Sequence, residues 1–144
     1  MGEESNLKFI KSEEIEKSLD LEYRHYLCGK LTREKLYLNH ITDDIEVGIS
    51  YYKEFTADKP HLHTTATEHG YVLSGAIKVR CLDSSIVEKE FRTGDFFVIE
   101  KGTPYATKNA AGTRIFFMKS PGINDKVLVD ISPEIADWLS DWNR

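Results

Sequence analysis

Cysteine is scarce in this chain of 144 residues: only Cys28 and Cys81 occur, and they form no C-x-x-C pair. Two distant thiols are too few for a disulfide scaffold, so reduced cysteines in a cytoplasmic protein are expected. Long apolar runs are missing too. No stretch approaches the roughly 20 apolar residues that a membrane span needs. The first residues, Met-Gly-Glu-Glu-Ser-Asn, are acidic and carry no apolar core, which argues against a signal peptide. Asn6 stands where a myristoylation signal requires Ser or Thr. A basic excess is likewise absent, with 19 Lys and Arg against 24 Asp and Glu and a net charge of −5. The cations are scattered, so nothing would neutralise a run of phosphates, and no nucleic-acid or membrane partner is expected. Internal repeats, linkers and low-complexity segments do not occur.

What remains is 40% hydrophobic and 30% charged, the balance of a globular protein. The length fits one domain over residues 1–144, with a core spanning about 21–130. Ser12 to Leu19 reads as a short helix with Ser12 as its N-cap and two glutamates in the first turn. From Leu21 the pattern becomes a series of about ten short strands separated by turns. Strands are expected over 22–28, 35–41, 46–55, 77–82, 86–92, 96–100, 105–109, 114–119 and 126–130, with another at Tyr71 to Leu73. Along 46–55, Val47, Ile49, Tyr51 and Phe55 share one face, the expected buried one. Asp83-Ser84-Ser85 reads as a hairpin turn. Ser132-Pro133-Glu134 starts a second helix, whose Ile135, Trp138, Leu139 and Trp142 form one apolar stripe. That stripe is expected to pack outside the sheet or at a subunit contact. An all-β sandwich or barrel follows.

The chemistry concentrates in residues 61–75, where His61 and His63 stand two apart and Glu68 follows after a short turn. On a strand, residues two apart leave the same face, so both imidazoles project together. Two neutral imidazoles and a carboxylate are a common ligand set for a divalent transition metal. The alternative is a metal-free polar pocket. His69 adjoins Glu68 and is expected on the opposite face, at the surface or an interface. His25 and His40 read as ordinary strand residues. Cys81 shares a face with Ile77 and Val79 and reads as buried filling.

The spacing His61-x-His63, four residues, Glu68, six residues, Gly75 resembles the first motif of the cupin superfamily. Gly94-Asp95, the strand Phe96 to Ile99, Gly102 and Asn109 resemble its second motif, eighteen residues further on. The resemblance covers roughly residues 35–120 and implies a cupin-type double-stranded β-helix, a jelly-roll barrel with short terminal helices. It also implies metal ligation by His61, His63 and Glu68, the metal being zinc, iron, manganese, nickel or cobalt. Two positions depart from the pattern. Phe55 stands where a glycine usually precedes the first motif, and Tyr105 stands where the fourth ligand, a histidine, is usual. Tyr105 reads as a weak ligand, as an acid–base group beside the metal, or as the mark of a site without metal. The alternative is simple cavity packing with its hydroxyl bonded to a neighbour, and Thr107 and Asn109 on the same face would complete a polar patch.

Phe97, Ile99, Phe116 and Met118 are expected as the apolar wall of a pocket, or as core and no more. Arg114 and Lys119, if turned inward, would meet a substrate anion. The functional expectation is a metal-binding cupin acting on a small polar molecule by isomerase, lyase or dioxygenase chemistry, paired as a homodimer. Two alternatives stand beside it. One is a metal-free isomerase or epimerase of sugar nucleotides, with histidine as base and tyrosine as acid. The other is a binding or sensing module, for which the twenty residues before the first strand leave little room for a DNA-binding domain.

Overall fold

The computed structural model describes residues 6–30, 40–83 and 88–144. The expected turn at Ser84-Ser85 and most of the expected strand over 35–41 lie outside the described residues. Helix α1 spans Ser12–Glu22. Its N-cap is Lys11, which makes no side-chain cap, so Ser12 is the first helical residue and not the cap. The helix ends at Tyr23 in the left-handed conformation, whose N–H returns to Leu19 O at 3.0 Å.

Twelve strands follow among the described residues: β1 (Arg24–Gly29), β2 (His40–Ile41), β3 (Glu46–Tyr52), β4 (Thr56–Ala57), β5 (His61–His63) and β6 (Thr67–Ser74). They continue with β7 (Ala76–Cys81), β8 (Glu88–Arg92), β9 (Phe96–Ile99), β10 (Tyr105–Asn109), β11 (Thr113–Ser120) and β12 (Lys126–Leu128). One sheet has the order β2-β1-β3-β11-β6-β9 and the other β12-β5-β10-β7-β8, with β4 also pairing to β10. Because β5 lies in one sheet and β6 in the other, the chain crosses between sheets just where the histidine pair gives way to Glu68. This is the jelly-roll arrangement that the resemblance implies.

A core of Val72, Ile77, Val79, Ile99, Tyr105 and Ile115 fills one part of the space between the sheets. The rest is a cavity of about 490 Å³. That cavity inverts the expected polarity of β3. Glu46, Ser50 and Tyr52 line it, and Val47, buried as expected, takes the opposite face with the half-buried Ile49 and Tyr51, where Arg114 of β11 stacks on Tyr51 and pairs with Glu16 of α1. Hydrophobic-in, polar-out holds for a solid core and reverses on a strand that walls a polar cavity.

Strand β11 also turns the other way from expectation. Ile115, Phe117 and Lys119 face the cavity, while Phe116 is exposed and Met118 half-buried, so Phe116 and Met118 are not its wall. Apolar residues occupy both parities of this strand, and a one-residue choice reverses every side chain. In the regular pairing with β3, Ile115 stands opposite Ser50 and Lys119 opposite Glu46, both cavity residues.

The second helix, α2, spans Pro133–Leu139, and Ser132 Oγ accepts from Ile135 N as its N-cap. Trp138 is buried against the outside of the β10 sheet, in line with the apolar stripe. The Lys108 ammonium of β10 donates to Trp138 O at 2.6 Å and Asp141 O at 2.7 Å, satisfying carbonyls at the helix end. Lys78, its register partner on β7, donates to Trp142 O at 2.8 Å. Each ammonium also lies over an indole ring, Lys108 over Trp138 and Lys78 over Trp142.

Candidate metal centre and its cavity

Strand β5 is three residues long and places His61 and His63 inward, both buried, with Leu62 between them facing away. It is held on both sides, by β10 through Tyr105↔His61 and by β12 through Lys126↔His63 and Leu128↔His61. Glu68 enters from the opposite sheet at the start of β6. The ligand atoms of His61, His63 and Glu68 all lie within 4.8 Å of one another. Ligands around a tetrahedral ion bonded at about 2.1 Å stand roughly 3.4 Å apart, so side-chain adjustments of under about an ångström would close the group.

Hydrogen bonding determines which ring nitrogen faces inward. His61 Nδ1 lies 2.7 Å from Lys59 O, a pure acceptor, so Nδ1 carries the proton and donates. His63 Nδ1 donates to Asp125 Oδ1 at 2.9 Å. Each ring therefore turns its Nε2 inward, His63 Nε2 lying 3.9 Å from Glu68 Oε2 and His61 Nε2 lying 2.9 Å from the Tyr105 hydroxyl. Burial pushes the His61 imidazole below its usual range, which keeps its Nε2 lone pair free.

Tyr105 stands between the two sheets' contributions. Its hydroxyl donates to Glu68 Oε2 at 2.5 Å, and its oxygen lies 2.9 Å from His61 Nε2. One phenolic proton cannot serve both acceptors. With the proton on the Glu68 side, the phenol oxygen and His61 Nε2 face each other with lone pairs only. Burial, and then the Glu68 carboxylate, push the phenol far above its ordinary range, so it stays protonated. An electron-rich cluster short of protons is a donor set that a cation would satisfy, and the residues fit a metal.

Asp125 is the residue that sequence reading missed. It lies in the segment before β12, sixty-two positions from its partner His63. Besides His63 it accepts from Thr65 N at 2.8 Å and Ala66 N at 2.7 Å, pinning the crossover from His63 to Glu68. Burial raises its pKa, but the N–H groups of Ala66 and Thr65, then His63, outweigh that and bring it down to about 2. A carboxylate holding the outer nitrogen of an inward-facing histidine is the usual support behind a metal ligand. Nothing in a lone Asp of the stretch Ile-Asn-Asp-Lys marks it for this task.

The remaining expectations divide. Lys119 faces inward at 3.8 Å from both Glu46 and Asp125, whereas Arg114 points outward to Glu16. Phe97 and Ile99 do line the cavity. Thr107 donates to Asp58 Oδ2 at 2.8 Å, and the buried Asn109 donates to Thr56 O. His69 stacks on the exposed Phe96 and has no place in the three-ligand group. His25 is buried on β1 and His40 exposed on β2, and neither lines the cavity. Both cysteines are free, Cys81 half-buried and its thiol pushed up by burial. No helix among the described residues is long and apolar enough to cross a membrane.

The pattern described as the cupin domain matches residues 51–118. No curated protein matches the chain in sequence. Solved structures share its fold. The KdgF protein of a Halomonas species is 22% identical, covering 58% of this chain and 74% of that one at a TM-score of 0.51. The DMSP lyase DddQ of Ruegeria pomeroyi is 18% identical, covering 74% of this chain and 50% of that one at 0.57. A Bacillus halodurans protein is 14% identical, covering 83% and 85% at 0.58.

Proposed function

Residues 51–118 being a cupin domain, we propose that the chain is a metal-binding cupin that acts on a small polar molecule in its cavity. The observation that carries the proposal is the pair of imidazoles whose outer nitrogens are both spoken for, by Lys59 O and Asp125, while their inner sides gather with Glu68 into one group of ligand atoms within 4.8 Å of one another. His61, His63 and Glu68 would hold zinc, iron, manganese, nickel or cobalt. Such an ion, when bound, supplies Lewis acidity toward a carbonyl or hydroxyl oxygen. Tyr105 then serves as the acid–base group, because its hydroxyl lines the cavity and lies within hydrogen-bond reach of both His61 and Glu68. The walls of Phe97, Ile99 and Phe117 exclude water from one side of the bound molecule. Isomerisation, elimination and, with iron, dioxygenation are the reaction classes this permits, and the fold hosts a lyase in DddQ.

Elemental analysis of untagged protein tests the reading. Wild-type chain should carry about one ion, and His61→Ala and His63→Ala should each lose it, since every ligand contributes to a site this small. Tyr105→Phe should keep the ion and lower turnover about 10²–10⁴-fold, the range of a lost acid–base group. Wild-type protein that takes up no ion after reloading would reject the metal.

One contact favours a second reading. The Tyr105 oxygen at 2.9 Å from His61 Nε2 is the geometry of a base and an acid working without metal, as a sugar-nucleotide isomerase or epimerase would use them. Turnover of such a substrate by fully chelated protein would decide for it.

The same reading takes the protein as a cytoplasmic homodimer. Its support is that β9 ends its sheet and that Tyr71, Phe96 and Phe116, neighbours across the register, expose apolar surface. Light scattering on the purified chain should give twice the monomer mass, and the monomer mass would reject it.

A further inference from the structure

Among the described residues, Arg24 is the one arginine without a carboxylate partner. Arg80 pairs with Glu134, Arg92 with Glu90, Arg114 with Glu16 and Arg144 with Asp137. Those four lie outside the cavity, whereas Arg24 lines it. Its Nη1 donates to the Tyr26 hydroxyl at 3.4 Å and its Nη2 to the Tyr52 hydroxyl at 3.3 Å, both at the long end of hydrogen bonding. The ring of Phe117 stands 5.5 Å from the guanidinium carbon and helps fix its plane.

The surroundings leave this charge available. Lys119, a buried cation of the cavity, already has Glu46 and Asp125 at 3.8 Å. Asp58 and Glu46 are near enough to act on Arg24 through charge, but Asp58 accepts from Thr107 Oγ1 at 2.8 Å and Asn109 Nδ2 at 3.4 Å, and Glu46 lies 3.8 Å from Lys119. Because the two phenol oxygens accept from Arg24, their own protons point elsewhere, and the Ser50 hydroxyl lies alongside Tyr52. The wall is thus rich in donors around a guanidinium that holds only two long hydrogen bonds and has no carboxylate at ion-pair distance among the described residues. A guanidinium set this way matches a planar oxyanion in a bidentate manner.

We propose that Arg24, with the hydroxyls of Tyr26 and Tyr52, is the carboxylate-binding end of the cavity, so that the molecule taken up is a small organic acid. The proposal rests on the reading of the cavity as a small-molecule site. A single carboxylate suits it better than a phosphate, since Glu46, Asp58 and Glu68 also line the cavity and one guanidinium would face a dianion among three acids. The acid's other polar end reaches toward Tyr105 and the His61, His63 and Glu68 group, which line the same cavity.

Calorimetric titration with ω-hydroxy acids, from glycolate to 6-hydroxyhexanoate, against their amides and inorganic phosphate tests this on zinc-treated full-length chain. At least one acid should bind about tenfold tighter than its amide, and about tenfold tighter than it binds Arg24→Gln protein. Arg24→Lys should recover part of the loss, and the pair Tyr26→Phe with Tyr52→Phe should weaken the acid several-fold with the guanidinium intact. Thermal midpoints and zinc content of each variant confirm that the fold and the ligand group are retained. Equal binding of acid and amide, no loss in Arg24→Gln, no binding of any acid, or phosphate competing ahead of every acid would each overturn the proposal. If zinc fails to bind the wild type while the Arg24 dependence persists, the metal reading falls and this one stands. If zinc binds and the Arg24 dependence is absent, the reverse holds.

Discussion

Asp125→Ala should weaken metal binding about 10–100-fold and destabilise the chain by about 3–5 kcal/mol. The two losses have one origin. The carboxylate accepts from His63 Nδ1, Thr65 N and Ala66 N, so its removal leaves two donors on buried residues, His63 and Ala66, without acceptors, each costing about 1–3 kcal/mol, while the exposed Thr65 N–H turns to water. It also deprives Lys119 of one of its two acidic neighbours. His63 is then free to rotate or change tautomer, and the crossover that spaces it from Glu68 slackens. Metal titration with a competing chelator reads the first loss and urea unfolding the second. Asp125→Asn separates charge from shape through pH. The wild-type carboxyl has a folded pKa of about 2 against an ordinary 3.8. A depressed folded value means stability present above the unfolded pKa and lost as pH falls toward the folded one, here about 2 kcal/mol between pH 4 and 2. Asparagine has no such titration, so its stability should decline less across that window. A variant as steep as wild type there would show that another acid is responsible.

Gly75→Ala should cost about 3–5 kcal/mol through two separable causes. The residue has φ +87°, where a side chain costs about 1–2 kcal/mol. An added Cβ would also stand 2.3 Å from Thr113 Oγ1 and 2.7 Å from Thr113 Cα, the latter backbone that cannot swing aside. Thr113 is fully buried, and its hydroxyl accepts from Ala76 N and donates to Ala76 O, both at 3.0 Å, tying β11 to the start of β7. Moving it breaks a clamp between the two sheets. Gly112→Ala is the control: its φ is +85° with nothing within 4 Å of an added Cβ, so only the conformational cost of about 1–2 kcal/mol should appear. Equal urea midpoints for the two variants would remove the steric half of the account.

These two residues mark the limits of reading the chain unaided. Gly75 was visible because its place in a motif fixes it at a constant distance from the histidine pair. His61, His63 and Glu68 were visible for the same reason, since strand parity and one short crossover bring them together. Asp125 was not, because its partnership spans sixty-two positions and depends on where β12 docks. Arg24 was hidden similarly: β1 gives no sign that it will wall a cavity. Parity was legible wherever one face alone was apolar. It failed on β11, where Phe116 and Phe117 are adjacent and either face would serve, and on β3, where the inward face is lined by Glu46, Ser50 and Tyr52. The site's donors were legible and its supports were not.

Both tryptophans of the chain belong to the C-terminal segment, Trp138 against Lys108 and Trp142 against Lys78, and no indole lines the cavity. Intrinsic emission at the red edge therefore watches the seating of α2 on the outer sheet and is blind to events around His61. An optical melting curve recorded there would register detachment of that helix, and ligand uptake needs a tyrosine, calorimetric or magnetic signal instead.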